Sequence, residues 1–150
     1  LGHGLPVATG VALADKINKI KKKTFVLLSD GELDEGSNWE SLLFSSHHKL
    51  NNLVIIIDYN KLQSIDFVKN TLNLEPLKQK FQSFGCKVVS VDGHNFKQLE
   101  KVLSSSSTKP LVIIANTIKG KGVSFMENSV LWHYKSLNSE DYQKAMKIIK

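Results

Sequence analysis

Two apolar runs, each closed by a polar cluster, decide the fold: Thr24-Phe25-Val26-Leu27-Leu28-Ser29-Asp30-Gly31 and Leu53-Val54-Ile55-Ile56-Ile57-Asp58-Tyr59-Asn60-Lys61-Leu62. Five branched apolar residues in a row, Leu53 to Ile57, leave no position for a wet face, so the second run predicts a strand buried on both sides, as in the middle of a parallel sheet. Thr24 to Leu28 predicts a second buried strand. Between them, Ser37 and Glu40 stand at the S-x-x-E spacing of a capping box, which predicts a helix over about 38–49. Strand, helix and strand in this order make a parallel crossover unit.

Working outward, the spacing of Val7, Val11 and Ala14 predicts a helix over 5–20. Beyond the loop 64–73, a helix is expected over 75–84, with Pro76 in its first turn and Gly85 just past its end. Lys87 to Val91 reads as a strand, Phe96 to Leu103 as a helix, the serine-rich Ser104 to Thr108 as a loop, and Leu111 to Ala115 as the last buried strand. Lys119 to Gly122 is a Gly-rich loop, and Ser139 to Lys150, acidic early and lysine-rich late, reads as a terminal helix. The predicted fold class is α/β, an open, doubly wound, mostly parallel sheet with helices on both faces, and residues 1–150 form one domain. With Met only at 126 and 146, the chain as given is expected to start inside a longer product.

Composition bounds the function. The chain has 41% hydrophobic and 23% charged residues and no apolar run near the roughly 20 residues of a membrane span, so no membrane role is expected. The lone Cys86, in an apolar run, reads as a buried thiol in a reducing compartment, with the cytoplasm as the expected location. The net charge of +6 suits anionic partners, but all twenty basic residues are Lys, and base readout leans on the guanidinium fork, so no nucleic-acid role is expected. Lys21, Lys22 and Lys23 read as a solvated helix end.

The chemistry gathers at two strand ends. Adjacent parallel strands bring Asp30 and Asn60 together, so a carboxylate and an amide oxygen converge, as a hard cation with about six oxygen ligands requires. Gly31 would let a phosphate approach the main chain, and the helix that follows would direct free N–H groups at it. Among the other polar residues, His47 and His48 read as a helix C-terminus, His94 as a loop-ordering residue, and Trp39 and Trp132 as core or interface residues.

Ser29-Asp30-Gly31, followed after about thirty residues by Asn60, resembles the thiamine-diphosphate motif, with Ser29 where the motif has its first Gly. Leu1-Gly2-His3-Gly4-Leu5, Glu35-Gly36, Asp58-Tyr59-Asn60-Lys61, Val91-Asp92-Gly93-His94, and Thr117-Ile118-Lys119-Gly120-Lys121-Gly122 through Trp132-His133 follow in the order of the transketolase N-terminal domain. Tyr134 stands where many members have Gly. The resemblance implies a thiamine-diphosphate-binding fold, with Mg²⁺ or another divalent cation held by the side chains of Asp30 and Asn60 and the main-chain carbonyl of Leu62. It implies cofactor contacts from Leu1, Gly31, Asn60, Lys119 and His133. His133 is the implied catalytic residue near the reaction centre, and Glu35 lies in an acidic network between cofactor sites at a dimer interface. An imidazole can both donate and accept a proton, which suits His133 to proton transfer.

The implied function is transfer of a two-carbon ketol unit between sugar phosphates. The implied partners are a separate C-terminal half carrying the pyrimidine-binding domain and further copies, in a dimer or heterotetramer. Competing readings are a component of a thiamine-dependent 2-oxo acid dehydrogenase or decarboxylase, and a non-catalytic nucleotide-binding module. The latter has poor support, because Gly2-x-Gly4-x-x-Val7 lacks the third Gly of a dinucleotide fingerprint.

Overall fold

The computed structural model describes residues 1–149. Four parallel strands, β1 (Thr24–Ser29), β2 (Leu53–Tyr59), β3 (Lys87–Asp92) and β4 (Leu111–Asn116), form one sheet in the order β1-β2-β4-β3. The helices are α1 (Gly4–Ile17), α2 (Gly36–His47), the single turn α3 (Val68–Thr71), α4 (Leu77–Ser83), α5 (Phe96–Ser104) and α6 (Ser139–Ile148). All four apolar runs became strands, and the two most deeply buried, β2 and β4, hold the central places. Lys150, the last residue of the expected terminal helix, lies outside the described residues.

Topology dictates the layers. From β1 to β2 and on to β3 the chain advances across the sheet; from β3 to β4 it steps back. Because parallel crossovers are right-handed, a step back places its helix on the opposite face. Accordingly α1, α2 and α4 bury Leu5, Ala8, Leu42, Leu77 and Phe81 against Ile55, Ile57, Val112 and Ile114, whereas α5 alone covers Val91, Ile113 and Ala115 with Leu99 and Val102. Helices thus lie on both faces, unevenly: Phe25 and Leu27, which point to the α5 side from β1, remain 51% and 68% exposed.

Three expectations are corrected. First, α1 stops at Ile17, not Ile20. Lys19 takes a left-handed conformation (φ 56°), Ile20 N–H reaches back to the Asp15 carbonyl at 2.8 Å and Lys19 N–H to that of Lys16 at 3.1 Å, a Schellman closure. The lysine run is therefore a connector rather than a helix end, and Lys23 Nζ is anchored on the Leu103 and Ser105 carbonyls at 2.9 and 2.7 Å. The same closure ends α2 at Lys49 (φ 49°) and α4 at Gly85 (φ 85°). Second, the capping box does not form. Glu35 is the residue before α2, and Ser37, already inside the helix, donates instead to the Gly2 carbonyl at 2.6 Å. Third, two short 3-10 helices, Gly31–Asp34 and Val130–His133, occupy segments for which no helix was expected.

Charge is sorted along the strand axis. Two clefts of about 530 and 520 Å³ lie where the chain enters the strands, lined by Lys16, Lys19, Lys21, Lys22, Lys23, Lys87 and Lys109 and by no acidic residue. Asp15, paired with Lys22 at 3.3 Å, belongs to this end as well, so the remaining thirteen lysines are matched by thirteen carboxylates and the excess positive charge resides here. Cys86 is buried, and burial pushes its thiol up. Among the described residues no helix is long and apolar enough to cross a membrane.

Candidate functional site

At the carboxyl ends of the strands, the pairing of Ser29 with Asp58 places Asp30 and Asn60 one step beyond neighbouring strand ends. Asp30 is 1% exposed. Its Oδ2 accepts the Lys61 N–H at 2.6 Å and its Oδ1 the Gly31 N–H at 2.8 Å, so the carboxylate bridges the two loops. Burial pushes its pKa up to about 6; the two backbone donors pull it down, and the carboxylates of Asp58 and Asp34 push it further up. Among the described residues no cation pairs with Asp30. A buried carboxylate among carboxylates lacks a countercharge, which is what a divalent ion supplies.

Asn60 is half-buried. Its Oδ1 accepts the Leu62 N–H at 2.9 Å, and its Nδ2 reaches Asp58 Oδ2 at 3.4 Å. Gln63 N–H to the Asp66 carbonyl (2.9 Å) and Val68 N–H to that of Lys61 (3.0 Å) close the following turn and leave the Leu62 carbonyl outside both bonds. Among the described residues no three His, Cys, Asp or Glu side chains cluster as metal ligands. The donor set here is one carboxylate, one amide and main-chain oxygen, which fits a small, hard cation that keeps part of its coordination for phosphate and water.

The space above Gly31 differs from the expectation. A Cβ there would meet Gln63 Cγ at 3.3 Å, so the glycine makes room for a side chain. The N–H groups that open the short Gly31–Asp34 helix are also engaged, Gly31 by Asp30 and Glu32 by Ser29 Oγ at 3.1 Å, rather than free for an anion.

Asn60 and Lys119 line one cleft of about 460 Å³ with Asp58, His94, Thr117 and Ile118. A strap of side chains holds its rim. Asp92 Oδ1 accepts the His94 N–H at 2.9 Å, His94 Nε2 accepts the Ile118 N–H at 2.8 Å, and Thr117 Oγ1 donates to Asp58 Oδ1. Gly93 is required where the ends of β3 and β4 meet: a Cβ would lie 2.4 Å from Thr117 Cγ2 and 3.1 Å from the Asn116 carbonyl oxygen. The loop after Lys119 folds on itself, with Asn128 N–H donating to the Lys119 carbonyl at 3.0 Å and Gly120 too close to Met126 to carry a side chain.

Leu1 is exposed, but the chain beside it is tied to this end: Gly2 N–H donates to Glu32 Oε1 at 3.1 Å. Glu35 is exposed at the start of α2, in no ion pair among the described residues. His133 is exposed at the end of its 3-10 helix, where its ring lies 4.9 Å from that of Tyr134, its aromatic neighbour, rather than against Asp30 or Asn60. The chain therefore brings Asp30, Gly31, Asn60 and Leu62 together, sets Lys119 across the cleft, and leaves Leu1, Glu35 and His133 at the periphery. Sequence reasoning gave no site role to Gln63, Asp58 or Thr117. Asp58 and Thr117 were signalled by standing at the ends of the two most apolar strands, whereas Gln63 is placed by loop closure.

The signature of the family described as "Transketolase, thiamine diphosphate binding domain" matches residues 1–149. The chain is 45% identical over its whole length to one of the subunits of the apulose-4-phosphate transketolase of Actinobacillus succinogenes, covering 55% of that protein. It is 36% identical over 97% of its length to a subunit of the 6-deoxy-6-sulfo-D-fructose transketolase of a Clostridium species, covering 54% of it. The chain thus spans about half the length of these relatives. The crystal structure of transketolase from Campylobacter jejuni superposes with a TM-score of 0.92 at 34% identity, over 98% of this chain and 24% of that one. On the sequence match and the fold together, the chain belongs to the transketolase family, as a member of its thiamine-diphosphate-binding domain.

Proposed function

We propose that residues 1–150 belong to the diphosphate-side unit of a thiamine-diphosphate- and Mg²⁺-dependent transketolase-like enzyme, which transfers a two-carbon ketol unit between sugar phosphates together with a separate pyrimidine-binding half. The observation that carries the reading is the convergence of the buried, unpaired Asp30 carboxylate with the Asn60–Leu62 turn at adjacent strand ends. Similarity over this chain's whole length, and about half of theirs, to proteins named as subunits of transketolases supports the division into halves; two copies of each half are the assembly that this reading expects. A cytoplasmic setting fits the single, buried thiol.

In this reading Asp30, Asn60 and the Leu62 carbonyl hold the cation, which would anchor the diphosphate. When bound, thiamine diphosphate supplies a stabilised carbanion centre for the two-carbon fragment. The chain's own groups bind and orient: Lys119 faces the anion from the cleft wall, and the His94–Ile118 bond fixes the loop that carries it. Leu1 touches the cofactor. His133 contributes an imidazole for proton transfer at the substrate, and Glu35 joins the acidic contact between copies.

The test is calorimetric titration of thiamine diphosphate into this chain mixed with its candidate partner half, with Mg²⁺ and with EDTA. Binding that needs Mg²⁺ and is lost in Asp30→Ala is expected. A folded mixture that binds under no condition overturns the reading.

A further inference from the structure

An amide has two unlike ends, an oxygen that accepts and a nitrogen that donates, and its neighbours decide which end faces where. For Asn60 two neighbours decide. Its Oδ1 accepts the Leu62 N–H at 2.9 Å, and its Nδ2 donates to Asp58 Oδ2 at 3.4 Å. Turned over, the amide would set its nitrogen against a donor and its oxygen against a carboxylate, so both contacts would become repulsive. The oxygen has a second lone pair, so it can accept from Leu62 and still bind a cation.

Asp58 is itself held in place. Register pairs it with Ser29 on β1 and Ala115 on β4, and the Thr117 N–H extends the second pairing to the Tyr59 carbonyl at 3.4 Å. The Thr117 hydroxyl donates to Asp58 Oδ1, so one carboxylate oxygen is engaged by the end of β4 and the other by Asn60. All three side chains line the same cleft, and among the described residues no cation pairs with Asp58. Of the two groups that orient the amide, the Leu62 N–H is carried by the same turn as Asn60, whereas Asp58 stands within the sheet.

We propose that Asp58 is a positioning residue of this site: fixed by the Thr117 hydroxyl, it holds the Asn60 amide with its oxygen available to the cation and its nitrogen turned away. This rests on the cation-binding reading above and deepens it. Asp58 is also close enough to Asp30 for its charge to push that carboxyl up, so a plain electrostatic pull on the cation is the competing role. Orientation needs an acceptor oxygen; the pull needs a negative charge. Asp58→Asn separates the two, because it keeps an oxygen for Asn60 Nδ2 while its own nitrogen donates to the Thr117 hydroxyl, which can turn to accept.

The chain combined with its partner half and thiamine diphosphate is titrated with Mn²⁺, with the free ion counted by electron paramagnetic resonance. The proteins are native, Asp30→Ala, Asp58→Asn, Asp58→Leu, Asp58→Ala and Thr117→Val, and metal-free thermal midpoints are recorded for each. Asp58→Leu and Asp58→Ala are expected to weaken Mn²⁺ binding by about tenfold to a hundredfold, as loss of a metal ligand's own partner does. Asp58→Asn is expected to restore most of that loss, and Thr117→Val, with the charge intact, to show a smaller loss in the same direction. If Asp58→Leu does not fold, Asp58→Ala carries the comparison with Asp58→Asn. Equal losses in Asp58→Asn and Asp58→Ala overturn the proposal in favour of charge alone, and losses that only follow the metal-free midpoints overturn it in favour of packing. Native affinity in every Asp58 variant overturns it outright. In each of these cases, loss of binding in Asp30→Ala leaves the site reading standing, whereas native protein that takes up no Mn²⁺ removes the site reading and this proposal together.

Discussion

A carboxylate that is 1% exposed and sits among other carboxylates is least comfortable when ionised. Asp30 is raised to about 6 in the fold against an ordinary value of 3.8, so between these values the folded chain holds a proton that the unfolded chain has released. The contribution of Asp30 to stability is complete below about 4 and is lost as pH rises through 6, on the order of 2 kcal/mol. Denaturant titrations of the metal-free chain from pH 4 to 7 are expected to show this fall, and Asp30→Asn is expected to flatten it. Gly93 makes a second prediction. Its alanine variant drives a methyl into Thr117, whose hydroxyl is engaged by Asp58, and is expected to cost about 1–3 kcal/mol in chemical denaturation and to disturb the Lys119 loop. Asp30 and Asn60 were legible in the sequence because each follows closely on an apolar run, and parallel pairing alone makes such positions neighbours. Thr117 follows an apolar run in the same way and was equally legible, but it was given no role; Gln63 was not legible, because its neighbours are fixed by loop closure, which leaves no period in the sequence. The short helix at Gly31 was not legible either, and its first donors are taken by the Asp30 and Ser29 side chains.

Among the elements, the four strands were readable throughout, since a parallel strand with both faces covered leaves a continuous apolar run, as Leu53–Ile57 and Leu111–Ala115 do. Helix ends were read less well. Three helices close by the same left-handed turn, but only α4 advertises it with a glycine; α1 and α2 use Lys19 and Lys49, which read as ordinary helix residues. A side chain in that conformation is strained. Lys49→Gly is therefore expected to stabilise the chain by about 0.5–1 kcal/mol, measured as a higher denaturant midpoint at constant m-value, since the lysine side chain is exposed. The capping box at Ser37 and Glu40 was misleading because the helix already begins at Gly36, which puts Ser37 inside its first turn, where the hydroxyl donates to the carbonyl of Gly2, thirty-five residues upstream.

At the scale of the whole molecule, a basic protein is expected to draw an anion to itself, and faster at low salt. This chain inverts that expectation, because its excess lysines stand at the entry end of the sheet while Asp30, Asp34 and Asp58 crowd the exit end. A free diphosphate would be drawn more strongly to the lysine-rich entry end than to the exit end, where Lys119 is offset by the carboxylates. The consequence concerns order of arrival: the anion should come already complexed with its cation, or find the cation in place. In stopped-flow mixing, association is expected to be fast when Mg²⁺ is premixed with either partner and slow when it is added last, and raising the ionic strength should leave the rate unchanged or increase it. The ligand's first encounter is thus governed by the molecule's polarity along the strand axis, not by its net charge.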